Sequence, residues 1–226
     1  MSRITALVSA YYADKYLERR IDNMLACKIT PEIVVVCRSG SVEHKIAQQY
    51  PVTTIATQGV PTIGRAWNIG IKLSGGKYLT TANADDLWLP GGMEHLIKVL
   101  DDNEDIDVVF LKVRRSKNGV IENWDRYKAA SGMIDFPYEF LSRRFVIGPM
   151  PVWRRSIHKS VGMFDESLEV AADYDMFLRA ADAAMSFYYL SDACGIYEHR
   201  DDSLEHRNKA ALREENKIVR DRYARR

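Results

Sequence analysis

Cysteine is scarce in this chain: Cys27, Cys37 and Cys194 are the only three in 226 residues, and no two form a CxxC pair. An odd, scattered set of this kind argues against a disulfide framework and against structural zinc, and it suits a reducing compartment. An excess of one charge is missing too. Lys and Arg number 32 against 31 Asp and Glu, a net of +1, whereas a dedicated nucleic-acid binder usually carries a basic surplus. No apolar run approaches the ~20 residues that span a bilayer. The short apolar stretch after Arg3 reads better as a first strand than as a signal peptide. Internal repeats and low-complexity linkers are also lacking. The expectation is a soluble, cytoplasmic protein. With 46% hydrophobic and 28% charged residues the composition is ordinary for a globular chain, and the length suits one domain with a substantial core.

What is present is an alternation of strands and helices. Ile4 to Ser9 is a β-rich apolar run. A helix follows in which Leu17, Ile21, Met24 and Leu25 share a face, with Lys15, Glu18, Arg19 and Arg20 largely opposite. Pro31 precedes Glu32-Ile33-Val34-Val35-Val36-Cys37, a continuous apolar run of the buried parallel kind. A short polar helix to Tyr50 and a strand over Val52 to Ile55 come next. Thr62 can cap a helix whose Ile63, Ala66, Trp67 and Gly70 share a face, and Gly75-Gly76 ends it. Met93, Leu96, Ile97 and Leu100 mark a further helix, and Ile106 to Val113 a further strand. This βαβ series predicts a mainly parallel, doubly wound sheet. After about Arg114 the rhythm breaks. Lys117-Asn118-Gly119 reads as a hairpin turn. Phe145 to Trp153, with Pro149 and Pro151, reads as an extended edge rather than a central strand. Short strands are expected near Ser186–Leu190 and Gly195–Glu198.

The chain is organised around one stretch, Tyr78 to Pro90, in which the strand Tyr78-Leu79-Thr80-Thr81-Ala82 after Lys77 runs into Asn83-Ala84-Asp85-Asp86 and Leu87-Trp88-Leu89-Pro90 closes the turn. It places two carboxylates at the carboxyl end of a parallel strand, where open α/β sheets bind ligands. Carboxylate oxygens are hard ligands of the kind Mg²⁺ or Mn²⁺ takes when it also holds a diphosphate. A solvated loop with Asp86 capping the next helix is the plainer alternative.

Several stretches together resemble the family 2 glycosyltransferases of the GT-A fold. Gly64-Arg65-Ala66-Trp67-Asn68-Ile69-Gly70-Ile71 and Gly75-Gly76-Lys77-Tyr78 are similar to the helix and strand leading to that family's DxD-type site, and Asn83-Ala84-Asp85-Asp86 stands where the family usually has Asp-Ala-Asp-Asp. Pro151-Val152-Trp153-Arg154-Arg155-Ser156 and Gly162-Met163-Phe164-Asp165-Glu166 resemble the segment before its catalytic base. Asp173-Tyr174-Asp175-Met176-Phe177-Leu178-Arg179 resembles its Glu-Asp-x-Asp-x-x-x-Arg element. The likeness covers roughly residues 3 to 200 in order.

The resemblance implies one GT-A-like domain over residues 1–226: a nucleotide-sugar half to about 105, a smaller acceptor half to about 200, and a basic C-terminal helix. It implies an inverting transfer from a nucleotide-diphospho-sugar donor to a hydroxyl of a glycan or glycoconjugate. Such a reaction needs charge neutralised on the departing diphosphate, a task for a carboxylate-held Mn²⁺ or Mg²⁺, and a base for the acceptor hydroxyl. Asp86 is assigned to the metal, Asp85 to the metal or ribose, and Asn83, Tyr11 and Arg65 to the donor. Asp173 is assigned as the base, although a helix N-cap is also a sufficient reason for it. Asp175 is structural or acceptor-contacting. His199 resembles a late histidine that some GT-A enzymes add to the metal, and a surface role is its alternative. Trp153 is either an apolar wall for a sugar ring or a core residue.

Three positions depart from the family pattern. Cys37-Arg38-Ser39-Gly40 stands where members commonly place an acidic pair for the nucleotide base, and arginine offers only donors. Asn83 replaces Asp, and Ala172 replaces the Glu before the base. A non-catalytic nucleotide- or glycan-binding relative is therefore the alternative. A sugar nucleotidyltransferase is disfavoured, because Ser9-Ala10-Tyr11-Tyr12-Ala13-Asp14 has no glycine-rich phosphate loop. In the terminal segment Leu212, Val219 and Tyr223 form one stripe and Lys217, Arg220, Arg222, Arg225 and Arg226 make the end basic. A helix packed on the body is the preferred reading, and contact with an anionic membrane surface the other.

Overall fold

Continuous apolar runs build the middle of the sheet, and alternate residues along them serve its two faces. In the computed structural model, residues 3–117, 119–124, 127–135, 137–203 and 207–224 are described. Asn118 of the expected turn, and Arg225 and Arg226 of the basic end, lie outside them. Strands β1 (Ile4–Ala10), β2 (Glu32–Arg38), β3 (Thr53–Thr57) and β4 (Tyr78–Thr81) pair in parallel in the order β3-β2-β1-β4. Helices α1 (Leu17–Leu25), α2 (Val42–Ala47) and α3 (Ile63–Lys72) connect them. The short β5 (Leu87–Trp88) and helix α4 (Gly92–Asp102) then lead to β6 (Val108–Lys117) and β7 (Val120–Trp124), an antiparallel pair. Further along come β8 (Gly132–Met133), α5 (Pro137–Leu141), β9 (Val152–Arg154), a 3-10 turn (Arg155–Ile157), α6 (His158–Val161), α7 (Ala172–Asp182), β10 (Phe187–Glu198) and α8 (Lys209–Arg222).

The sheet is wound on both sides. Ile4, Ala6, Val8 and Ala10 of β1 pack with Leu17, Ile21 and Met24 of α1 and with Leu96, Ile97 and Leu100 of α4. Leu7 turns to the other face and joins Trp67 and Ile71 of α3 and Phe177 of α7. Strand β6 divides in the same way, Val109 and Leu111 to the first core and Val108 and Phe110 to the second. The spacing is tight. A Cβ on Gly70 would stand 2.8 Å from Leu7 Cδ2, so α3 lies as close to β1 as it does because residue 70 is a glycine.

Three expectations are corrected. Val152–Arg154 is an internal strand, antiparallel to both β4 and β6, with Val152 and Trp153 fully buried. Pro149 and Pro151 precede it, so the N–H groups they lack are outside the ladder; Gly148 (φ 71°) and Met150 (φ 60°) turn the chain into the sheet. The two short late strands are one, β10, parallel to β6 and carried through register shifts between Leu190 and Gly195. Arg20 is not on the polar face of α1 but fully buried. It lies three residues after Leu17 and four before Met24, on the apolar stripe itself.

Candidate active site

A cleft of about 760 Å³ opens where β1 and β4 end, the carboxyl edge at which open α/β sheets take their ligands. Tyr11 and Tyr12 bring the β1 end to it, Asn83 and Asp85 the β4 end, and Ile63 and Trp67 one face of α3. Asp173 at the start of α7 and Leu212, Asn216 and Arg220 along α8 line it from the other side. The cleft thus brings together residues from both ends of the chain, Ser9 to Asp85 on one side and Arg144 to Arg220 on the other.

The two aspartates after β4 face different ways. Asp85 lines the cleft, and its Oδ2 lies 3.0 Å from Arg200 Nε. Asp86 is fully buried behind it. Asn83 Nδ2 donates to Asp86 Oδ2 at 3.0 Å and the Glu198 backbone N–H donates to Oδ1 at 3.1 Å. Both Asp86 oxygens therefore serve the fold, joining the end of β4 to the end of β10. The helix-cap alternative is not the role observed either, since α4 is preceded by Gly91 in the left-handed conformation. Burial, then the neighbouring Asp85 charge, pushes the Asp86 carboxyl up to about 7, against the pull of Arg20. Burial likewise raises Asp85, against Arg200.

Arg20 is the cation beneath this pair. Its guanidinium donates to Asn23 Oδ1 at 3.2 Å and lies 6.0 Å from the Trp88 ring, while its Nε and Nη2 have no hydrogen-bond partner among the described residues. Burial lowers its pKa to about 10, so it stays charged at neutral pH. A buried cation near one buried and one half-buried carboxylate lessens, without cancelling, the cost of holding both ionised.

Asp173 is half-buried at the start of α7, and its Oδ1 accepts from the Tyr174 N–H at 2.8 Å. The segment before it is held from a distant part of the chain. The Glu215 carboxylate of α8 accepts from three consecutive amides, Glu169 at 2.8 Å and Val170 and Ala171 at 2.9 Å. Asp175 is 1% exposed and outside the cleft lining. Arg179 Nε and Nη2 lie 2.9 Å from its Oδ2, and Tyr223 and Arg222 of the C-terminal region approach Oδ1 at 3.3 and 3.4 Å. It joins α7 to α8. Val219 is fully buried and Leu212 faces the cleft, so this part of the apolar stripe of α8 is turned to the body.

Of the other residues singled out from sequence, Tyr11 lines the cleft, its hydroxyl 2.9 Å from Thr57 Oγ1. Arg65 does not. Ile63 and Trp67, four apart, take the cleft face of α3, which leaves Arg65 outside, 3.9 Å from Glu166. Trp153 is fully buried, with its Nε1–H on His158 Nε2 at 3.0 Å, and forms no wall of the cleft. His199 is also outside the lining; its Nε2 lies 4.0 Å from Asp201. Sequence reasoning missed Arg144, Arg200 and Arg207, which line the cleft, and Tyr12 and Tyr16, against which Arg207 and Arg200 stack at 5.7 and 4.2 Å. Tyr12 holds φ 58°, a strained value for a bulky side chain that functional sites often show.

Among the described residues, no three His, Cys, Asp or Glu side chains converge in a metal cage. Mg²⁺ and Mn²⁺ at diphosphate sites do not need one: one or two carboxylates suffice, with substrate phosphates and water completing the shell. Asp85, a carboxylate raised by burial at the wall of an open cleft, is a donor of that type. No helix among the described residues is long and apolar enough to cross a membrane.

The family model described as Glycosyl transferase family 2 matches residues 5–162. An uncharacterised glycosyltransferase of Rickettsia typhi is 25% identical over 183 residues, covering 78% of this chain and 58% of the relative. A chondroitin synthase of Pasteurella multocida is 25% identical over 207 residues, 84% of this chain and 20% of that protein. The chain therefore spans little more than half of one relative and a fifth of the other. Among solved structures, residues 1–349 of S. aureus TarS, in complex with UDP-GlcNAc, superpose with a TM-score of 0.75 at 17% identity, over 89% of this chain and 60% of that one. That likeness is one of fold, the GT-A fold. From the match over residues 5–162, this chain belongs to glycosyl transferase family 2.

Proposed function

We propose that the chain transfers a sugar from a nucleotide-diphospho-sugar to an acceptor hydroxyl, with inversion, in the synthesis of a polysaccharide or glycoconjugate. The observation that carries this reading is the meeting of Asp85 and Asp173 in one cleft at the carboxyl edge of the sheet. One is a carboxylate fit for a cation at the donor diphosphate, the other a carboxylate fit to take a proton. The UDP-GlcNAc in the TarS complex makes a UDP-sugar the first donor to try. The chondroitin synthase relative points to a glycan product.

In this mechanism Asp85, rather than Asp86, would hold Mn²⁺ or Mg²⁺ together with the donor. When bound, such an ion would supply Lewis-acid neutralisation of the leaving diphosphate. Arg200 and Arg207 add positive charge on the same side. Tyr11 belongs to the nucleotide subsite with Asn83. Asp173 accepts the proton of the acceptor hydroxyl as its oxygen attacks the anomeric carbon. A single displacement of this kind inverts the anomeric centre. Trp67 and Ile63 exclude water from one wall, and Asp86 with Arg20 fixes the loop that presents Asp85. A binder without turnover is the second reading, favoured by the Arg200–Asp85 pair, which gives Asp85 a protein cation.

Donor turnover decides between them. Wild type should release nucleotide diphosphate from a UDP-sugar in the presence of Mn²⁺, and NMR of the transferred sugar should show the inverted anomer. Asp173→Asn should keep nucleotide binding and lose ~10²–10⁴-fold in transfer, the range for a missing general base. A retained anomer, or an Asp173→Asn variant with full transfer, would refute the mechanism.

A further inference from the structure

Among the described residues, seven aromatic side chains line the cleft, and six of them are already engaged by the fold. Trp67 is buried with its ring 5.0 Å from that of Phe164, and Phe145 and Tyr174 pack on each other at 5.2 Å. Tyr197 stacks on Trp124 at 4.9 Å, Tyr16 lies under Arg200, and Tyr11 is half-buried with its hydroxyl against Thr57. Tyr12 differs: it is 66% exposed. Its φ of 58° is a second difference, because the left-handed region is unfavourable for a bulky side chain and suits glycine or asparagine. The fold holds it there from α2. The buried Glu43 carboxylate accepts from the Ala13 N–H at 2.8 Å and also hydrogen-bonds the Tyr12 backbone. Packing does not offset the strain, since the ring is largely in solvent. Arg207, 5.7 Å from the ring, makes an exposed cation–π contact, and such contacts are weak. Strain that the surroundings enforce and packing does not offset is a mark of function.

We propose that Tyr12 is a substrate-contacting residue, a platform for the apolar face of a sugar ring. The inference deepens the transferase reading and rests on it for the presence of a sugar in the cleft. A pyranose carries C–H groups on its faces and hydroxyls around its rim. The electron-rich face of an aromatic ring attracts such C–H groups, and a tyrosine keeps a polar tip for the rim. The side chain is also rigid, so little freedom is lost when a sugar settles on it. Trp153, the wall expected from the sequence, is buried away from the cleft, and Tyr12 supplies the missing surface. The sugar is either the one carried by the donor or one of the acceptor. Both present the same kind of face, and the test separates them.

The test compares wild type, Tyr12→Asn and Tyr12→Phe. Calorimetry gives Tm without ligand and, with Mn²⁺, the affinities for UDP and UDP-GlcNAc, whose ratio isolates the donor sugar. Retention on an immobilised chondroitin oligosaccharide reads an acceptor sugar. Tyr12→Asn should raise Tm by roughly 2–4 °C, because asparagine adopts this backbone with less strain. The same variant should lose about tenfold in one arm, the size of one well-packed aromatic contact. A donor sugar shows this in the UDP-GlcNAc to UDP ratio, an acceptor sugar in oligosaccharide retention. Affinity for UDP itself should stay within about twofold, and Tyr12→Phe, which keeps the ring face, within about threefold of wild type in both arms. Higher stability together with weaker sugar binding is a pair of signs that a merely structural residue does not give. A fall of Tm in Tyr12→Asn, no change in either arm, or an equal loss for UDP would overturn the inference. So would Tyr12→Phe as impaired as Tyr12→Asn, or a wild type that binds UDP and no sugar in either arm. A wild type that binds no nucleotide would sink the transferase reading instead, and the oligosaccharide arm would then decide the platform alone.

Discussion

Glu215 lies more than forty residues after the loop it holds, and replacing it tests whether α8 is part of the site or only an appendage. In Glu215→Ala, three amides lose their acceptor at once. They do not lose it equally. Glu169 is exposed and its N–H can turn to water, whereas Ala171 is 1% exposed and its N–H would be left nearly dry. Hydrogen bonds to a charged group contribute ~1.5–3 kcal/mol each when well shielded, and an unsatisfied buried donor costs about 1–3 kcal/mol. Allowing for hydration of the outer amides, the net loss is about 2–4 kcal/mol. For a chain of this length that lowers Tm by roughly 5–12 °C. Because the segment runs straight into α7, Asp173, the proposed base, should be displaced as well: kcat falls tenfold or more, while nucleotide affinity on the Asp85 side stays within about twofold. Glu215→Gln keeps one acceptor oxygen and should fall between. Scanning calorimetry and steady-state kinetics provide both numbers. A Glu215→Ala protein with wild-type Tm and kcat would refute this account of α8.

Further predictions concern packing and charge. A Cβ on Gly92 would stand 2.1 Å from the Cys194 carbonyl oxygen, so Gly92→Ala must push α4 off β10. Overpacking of this kind costs ~1–3 kcal/mol or more, read as a fall in the urea midpoint. Asp86 carries a folded-state pKa raised from 3.8 to about 7, so the folded chain keeps a proton that the unfolded chain has released. Its contribution to stability is greatest below pH 4 and is lost as pH rises towards 7, with a slope of at most ~1.4 kcal/mol per pH unit. Asp165 works in the opposite sense. Burial alone would raise it, but the Ser167 hydroxyl and Arg222 hold it at about 2, so the stability it contributes is lost as pH falls from about 4 towards 2. Denaturant titrations of the metal-free protein across pH 2–8 check both. Arg20→Met removes the cation that favours the Asp86 anion. A ¹³C titration should show the Asp86 carboxyl moving above its wild-type midpoint, and a midpoint that stays or falls would contradict the role given to Arg20.

Much of this architecture was legible in the sequence because burial leaves a periodic trace. The runs Ile4 to Ser9 and Glu32 to Cys37, and the helix faces through Ile21, Trp67 and Leu96, name the two cores almost residue by residue. The aspartate pair was legible for a similar reason, since an apolar strand ending in carboxylates has few plain explanations. Which carboxylate faces the cleft was not. Beyond the last ladder pair the direction of a side chain depends on the turn, and here the Glu198 amide and Asn83 draw Asp86 inward. Strand β9 was misread because proline in a strand argues for an edge, yet Pro149 and Pro151 precede the three residues that pair. Arg20 was legible in principle: its position between Leu17 and Met24 puts it on the buried stripe, and only its charge hid it. Glu215 and the cleft residues Arg144, Arg200 and Arg207 leave no local pattern at all. Their meaning lies in contacts between segments far apart in the chain.

The central claim is that Asp85 faces a donor diphosphate through a divalent cation. Calorimetric titration of UDP, GDP, dTDP and CMP with and without Mn²⁺ tests it most directly, on wild type, Asp85→Ala and Asp86→Ala. One nucleotide should bind wild type in a Mn²⁺-dependent way. In Asp85→Ala that dependence should vanish while Tm is kept, whereas Asp86→Ala should lower Tm by breaking the link between β4 and β10. Mn²⁺-dependent binding that survives in Asp85→Ala, or its absence from wild type with every nucleotide, would contradict the claim.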